Sequence, residues 1–209
     1  MISAITTNLI WSESLWIVIV LAFLGAVGWL FFKPLAFITL ILFAFCFYFF
    51  RNPDRICPEA LRDPNVMVCP ADGTVVGISP DKQKISIFLS PLNVHVNWTP
   101  VAGVIEQINY VPGKFVMAFL PKSSELNEHN DLVIRHASGK KILVRQIAGT
   151  VARRIVCWAK PHESVAACQK YGMIKFSSRV DVILPEGSIL NVETGQRVYG
   201  GKTVLGRLV

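Results

Sequence analysis

Two adjacent serines, Ser177 and Ser178, break the stretch "YGMIKFSSRVDVILP" between two apolar-rich runs. A serine hydroxyl is a weak nucleophile until a neighbouring base or its environment activates it. A hydrolase-type Ser/His/Asp arrangement finds no support. There is no G-x-S-x-G, and the doublet does not follow a strand that leads into a helix. The chain offers four histidines as partners, His95, His129, His136 and His162. His136 lies in an alternating strand pattern and reads as a hydrogen-bonded structural residue. His162 follows a proline in a polar loop and reads as solvated. His129, in "KSSELNEHND", is placed to face a substrate from a polar loop. His95, in "LSPLNVHVNW", sits among apolar, β-forming residues, where partial burial perturbs an imidazole. Asp72, in "CPADGTV", reads first as a turn residue, because Asp-Gly is a common turn pair.

The elements that must carry these residues fall into two parts. The chain has 209 residues, 52% of them hydrophobic, with a mean hydropathy of +0.47. The excess lies near the N-terminus, in "LWIVIVLAFLGAVGWLFF" and "LAFITLILFAFCFYFF", two uncharged runs separated by Lys33-Pro34. Each run is slightly short of the ~20 residues of a membrane span. Together they exceed the apolar region of a signal peptide, and "RNPDR" rather than a small-residue cleavage site follows. The expectation is a membrane-embedded helical hairpin over residues 1–51, either crossing twice or re-entrant. Arg51, Arg55 and Arg62 flank its end, which puts the following domain, 52–209, on the cytoplasmic side of the cell (inner) membrane.

The formal net charge is +7, and Lys33, Arg51 and Glu13 are the only charges before residue 52. Most of the excess therefore belongs to the second part, where it suits attraction to anionic lipid headgroups. Nucleic acid is not an expected partner, since no long basic run with interleaved aromatics is present. Five cysteines, without C-x-x-C or metal-like His/Cys spacing, suit a reducing compartment and predict no metal.

Beyond residue 51 the pattern is short strands and turns. "KISIFLS", "VHVNW" and "RVDVILP" alternate, and "DLVIRHA" and "KILVRQIAG" flank "SGK" as a hairpin. "TVARRIVCWA" fits a strand or a short helix, and "ESVAACQKYG" fits a helix of two to three turns. The expected fold class is a mainly β domain, a compact sandwich or barrel with few short helices, behind the N-terminal hairpin.

The segments "FFRNPDR", "PADGTVVGI", "IFLSPLNVHVNW", "YVPGKF", "NEHN", "QIAGTVARRIVC", "YGMIKFSSRVDVILP" and "GQRVYGGKTV" follow one another in this order. Together they resemble the short, bacterial and archaeal type of phosphatidylserine decarboxylase, over Phe49 to about Val204. The resemblance implies a proenzyme that cuts itself between Ser177 and Ser178. A β chain of 1–177 and an α chain of 178–209 would remain together as a heterodimer. Ser178 would become a covalent pyruvoyl group, with no pyridoxal phosphate needed. Its carbonyl would take up the amine of phosphatidylserine and accept the electron pair left when CO₂ departs.

The resemblance also implies roles for other residues. His95 would donate a proton or orient the substrate, and Asp72 would support self-cleavage. Long-type members carry a second histidine three residues after the first, where this chain has Trp98. Either His95 serves both steps, or another group such as His129 helps. Lys114 and one of the pair Arg153 and Arg154 are expected at the substrate phosphate, since adjacent strand residues face opposite ways. Ser177 stands where family members usually have Gly, which eases close approach of the hydroxyl to the carbonyl. This departure keeps an alternative open: an unprocessed, non-catalytic membrane-anchored homologue that binds lipid or protein.

Overall fold

The structure, a computed structural model, describes residues 11–81, 83–113, 126–149, 154–175 and 178–209. It divides into two compact units, Met1–Asp54 and Arg55–Val209.

The first unit is a helical hairpin. Helix α1 (Trp11–Phe31) and helix α2 (Lys33–Phe49) are separated by Phe32, whose φ of −154° and ψ of 87° break the helix. Pro34 sits in the first turn of α2, where its missing N–H removes no helical bond. Ser12–Phe31 is long and apolar enough to cross a membrane, and α2 is a shorter apolar helix. At 1.5 Å per residue, a 20-residue helix spans ~30 Å, the thickness of a hydrocarbon core. The two helices approach closely along a small-residue face of α1. A Cβ on Gly28 would lie 2.6 Å from the Ala36 nitrogen, and one on Gly25 would lie 3.2 Å from Thr39 Oγ1. Thr39 Oγ1 in turn bonds the carbonyls of Leu35 and Ala36 at 2.9 Å. Its hydroxyl is thus satisfied within an apolar setting.

The second unit is β-rich, as its alternating runs require. It opens with the short helix α3 (Pro58–Arg62) and continues with β1 (Val66–Val68), β2 (Gly73–Ile78), β3 (Lys84–Leu89), β4 (Val96–Trp98) and β5 (Gly103–Val111). Next come β6 (His129–Arg135), β7 (Lys141–Ala148), β8 (Arg154–Cys157), β9 (Ser164–Val165) and β10 (Lys170–Lys175). The last strands are β11 (Ser178–Ile183), β12 (Ile189–Leu190), β13 (Arg197–Val198) and β14 (Val204–Arg207).

Among the described residues these strands form three sheets, ordered β13-β2-β3-β11-β7-β6-β5-β9, β4-β10-β8 and β1-β14-β12. The large sheet is antiparallel throughout, and "SGK" lies in the turn between β6 and β7, as its sequence predicts. One face of the large sheet is apolar. Ile85, Ile87 and Leu89 of β3, Val180 and Val182 of β11, and Val144 of β7 form a buried core with Tyr171 and Ile174 of β10. Strand β10 therefore lays its own sheet against this inner face.

The helix expected at "ESVAACQKYG" does not form. The segment instead makes β9, a turn with Cys168 at φ 63°, and the start of β10. Apart from a turn bond from Gln169 N to the Ala166 carbonyl at 3.3 Å, its backbone bonds to neighbouring segments. The Thr99 carbonyl accepts from Cys168 N at 3.0 Å, and the Gln169 carbonyl accepts from Thr99 N at 2.8 Å. A helix of two or three turns is marginal alone, so tertiary pairing decides the outcome. "TVARRIVCWA", open between strand and helix, supplies β8.

Gly172 is one of the places where two strands press close together. A Cβ there would lie 2.3 Å from the Val156 carbonyl oxygen and 3.0 Å from Gln146 Nε2. Gly172→Ala is expected to force β10 away from β8 and destabilise the domain by about 1–3 kcal/mol. Denaturant unfolding of the detergent-solubilised protein measures this.

Candidate active site

Ser178 opens β11, the strand held between β3 and β7. It pairs with Leu89 on one side and Ala148 on the other. The residue is fully buried, and its Oγ has no hydrogen-bond partner among the described residues. An unpaired buried hydroxyl costs about 1–3 kcal/mol, so its retention points to a use other than stability. Strand β10 ends at Lys175 in the small sheet, and β11 begins at Ser178 in the large one. The serine thus stands where the chain changes sheets.

The period of two fixes which neighbours share its face. Arg179 and Asp181 point to the opposite side. There Arg179 Nε bonds Asp181 Oδ1 at 2.6 Å, Arg179 bonds Ser86 Oγ at 2.7 Å, and Lys84 lies 3.1 Å from Asp181. Both Arg179 and Asp181 are buried. This ion cluster clamps the start of β11 from behind.

His95 is fully buried and immediately precedes β4. Its carbonyl accepts from Ile174 N at 3.2 Å, so the β4–β10 ladder extends to it. Its Nδ1 lies 3.0 Å from the Asn93 carbonyl. Ile174, its partner, belongs to the core against the large sheet, so His95 shares the interface that carries Ser178. Asn97, two residues on, projects the same way. Gln146 Nε2 donates to Asn97 Oδ1 at 2.8 Å, and Asn130 Nδ2 donates to Gln146 Oε1 at 3.1 Å. This buried polar relay links the two sheets beside β11. The spacing alone does not reveal it, although Gln146 falls at a core position of "KILVRQIAG".

Asp72 lies elsewhere, in a cluster built from four of the sequence segments. Arg55 bonds both of its carboxylate oxygens, and Gly200 N donates to Asp72 Oδ1 at 2.9 Å. Arg55 also bonds the Gly200 carbonyl at 2.9 Å and stacks 4.8 Å over the Trp98 ring. Trp98 in turn rests on the Gly200-Gly201 turn, where a Cβ on Gly200 would lie 2.4 Å from the ring. Trp98, at the position of the long-type second histidine, therefore brings an arginine to the aspartate. The sequence counts Arg55 as a membrane-flanking charge, whereas in the fold its charge is held by Asp72. Burial pushes the neighbouring Cys69 thiol up to about 12, with the charge of Asp72 adding to the effect.

His129 starts β6, and its Nδ1 lies 2.8 Å from the Asn127 carbonyl. It pairs with Ile147, on the face that bears Arg179 rather than Ser178. Asn127 of "NEHN" gains a role from the structure: its Nδ2 donates to the Ala148 carbonyl at 2.7 Å, on the residue paired with Ser178. Arg154 is exposed and opens β8 opposite Lys175, the last residue of β10. His136 is structural, bonded to Ser138 Oγ and the Pro64 carbonyl, and His162 is exposed. Ser177, Lys114 and Arg153 lie outside the described residues.

Arg55 and Asp72 expose only 10% and 6% of their side chains. Arg55→Met is expected to leave a buried carboxylate unpaired and to cost about 3–5 kcal/mol of stability. Adding Asp72→Asn should recover part of that loss. A double-mutant cycle by denaturant unfolding checks both statements.

A family model described as phosphatidylserine decarboxylase matches residues 42–206. A protein of Desulfotalea psychrophila named phosphatidylserine decarboxylase proenzyme is 44% identical over 184 residues, covering 84% of this chain and 85% of that protein. One of the same name from Burkholderia ambifaria is 43% identical over 176 residues, covering 80% of this chain and 81% of its own. The match contains every element that surrounds Ser178 and Asp72, and the chain belongs to the phosphatidylserine decarboxylase family.

Proposed function

We propose that this protein decarboxylates phosphatidylserine to phosphatidylethanolamine, with a pyruvoyl group made by self-cleavage between Ser177 and Ser178. The observation that carries this is the fully buried Ser178 Oγ, unpartnered among the described residues, at the head of a clamped central strand. Family membership supports the same reaction.

Self-cleavage needs only this serine, a water and proton transfers. Ser178 Oγ attacks the carbonyl carbon bonded to its own nitrogen, and its proton passes to that nitrogen as the C–N bond breaks. An ester replaces the amide. Loss of the Ser178 Cα proton and of the Cβ–O bond frees a carboxylate on the upstream chain. Water then hydrolyses the remaining enamine, releasing ammonia and leaving a ketone at residue 178. The ketone supplies an electron sink that no ordinary side chain offers.

The other residues follow from their places. His95, at the same sheet interface, holds or delivers the proton that replaces CO₂ on the product carbon. Arg154, exposed beside the end of β10, is the one of the arginine pair that meets the substrate phosphate, with Lys114 as a further cation. His129 projects from the far face and takes a secondary part at most. Asp72 acts through Arg55 and Trp98 by ordering the segment that carries His95. The apolar hairpin anchors the domain at the cytoplasmic face of the inner membrane, with the two chains held together after cleavage.

Intact-mass measurement under denaturing conditions is expected to show two chains of roughly 19 and 4 kDa, in proportion to their lengths. The small chain should react with a carbonyl reagent. Ser178→Ala should give one uncleaved chain without activity, and Ser177→Gly should cleave as fast as the native sequence or faster. A single unmodified chain after prolonged incubation would favour the non-catalytic homologue instead.

A further inference from the structure

The relay between the sheets ends on a donor that has no partner among the described residues. Asn130 donates to Gln146, and Gln146 donates to Asn97. Asn97 therefore uses its carbonyl oxygen as the acceptor. Its Nδ2 is buried and has no partner among the described residues, as is true of Ser178 Oγ. Asn97 itself is fully buried. A buried amide donor left without a partner is costly, so its retention points to a use.

The register places this donor by the serine. Gln146 pairs with Val180 on β11, and Ala148 pairs with Ser178. Gln146 and Ser178 are thus diagonal neighbours on one face, about 7–8 Å apart and within reach of long side chains. Asn97 reaches this face from the opposing sheet, paired with Gly172, which has no side chain to intervene. A Cβ at Gly172 would meet Gln146 Nε2 at 3.0 Å, so the glycine keeps the contact between Gln146 and Asn97 open.

We propose that Asn97 is a catalytic residue of self-cleavage: its Nδ2–H stabilises the negative charge that forms on the carbonyl oxygen when Ser178 Oγ attacks. That oxygen belongs to the peptide group bonded to Ser178 N. A fixed amide donor in a dry site is suited to such an oxygen, since it needs no reorganisation as charge develops. Gln146 and Asn130 are positioning residues that hold the carboxamide in one orientation. This inference rests on the proposed self-cleavage and names the group that promotes its first bond-forming step.

The test follows the full-length chain, made by cell-free synthesis into detergent micelles, and reads the uncleaved fraction against time by intact mass. Asn97→Asp keeps the size and the acceptor for Gln146 Nε2 but loses the donor while ionised. It should slow cleavage on the order of 100-fold at neutral pH. Protonation of the introduced carboxyl restores a donor, so its rate should climb towards the native rate as pH falls. A purely structural role would not produce this profile. The titratable groups flanking the same space, His95, Glu128, Cys157 and Tyr171, are shared by both proteins, so the native pH profile is the reference. Asn97→Leu, which has no donor at any pH, should stay slow throughout, and resistance to limited proteolysis identifies which variants are folded. A native chain that cleaves while folded Asn97→Leu matches it, or while the Asn97→Asp rate fails to rise as pH falls, overturns the role of Asn97 and leaves the proposed function standing. A native chain that never cleaves overturns both.

Discussion

A strand hydrogen-bonded along both edges stays in place even if the chain leading into it is cut. Strand β11 is such a strand, with six residues paired to β3 and the same six paired to β7. Its inner face is tied down by Val180 and Val182 in the core, and its outer face by Arg179 and Asp181. The first residue of the strand inherits this rigidity. A group generated at position 178 is held by the sheet rather than by the peptide bond before it, so it can become a chain terminus without losing its place. Precise placement is what a reacting centre demands of its scaffold.

The second structural theme is substitution by packing. By resemblance, long-type members carry a histidine three residues after the position of His95. Here the corresponding side chain is Trp98, and its ring carries Arg55 on one side and the Gly200-Gly201 turn nearby. Asp72 closes the cluster by bonding both the guanidinium and the turn. The Trp98 backbone N–H donates to the Pro70 carbonyl at 2.9 Å, and the Gly201 N–H donates to the Cys69 carbonyl at the same distance. The aspartate thereby orders the end of β4, and β4 bears Asn97 and is preceded by His95. Its influence on the serine runs along a strand.

The regular alternation of "KISIFLS" and "RVDVILP" made β3 and β11 legible, and the turn residues of "SGK" made the β6–β7 hairpin so. Both depend on nearest neighbours in sequence. The same holds for His136 and His162, whose local settings define them. What could not be read are pairings between distant polar residues. Arg55 and Asp72 lie in different segments, and nothing in either names the other. Gln146 left a faint signal, a polar residue on an otherwise apolar face, but its partners sit on β4 and β6. The segment around Cys168 misled because helical spacing is informative only where no neighbouring strand competes for the backbone.

The Arg55 side chain has a further consequence, for where the protein can be divided. Arg55 is the first residue of the β-rich unit, a few residues after the end of α2. It is nonetheless part of the interior, since it fills the space between Asp72, Trp98 and the Gly200 carbonyl. A water-soluble version cut at the first regular element, α3 at Pro58, would discard the hairpin and with it the counter-ion of a buried carboxylate. The natural severance point lies upstream of Arg55, among residues that look like linker and end in a piece of the core.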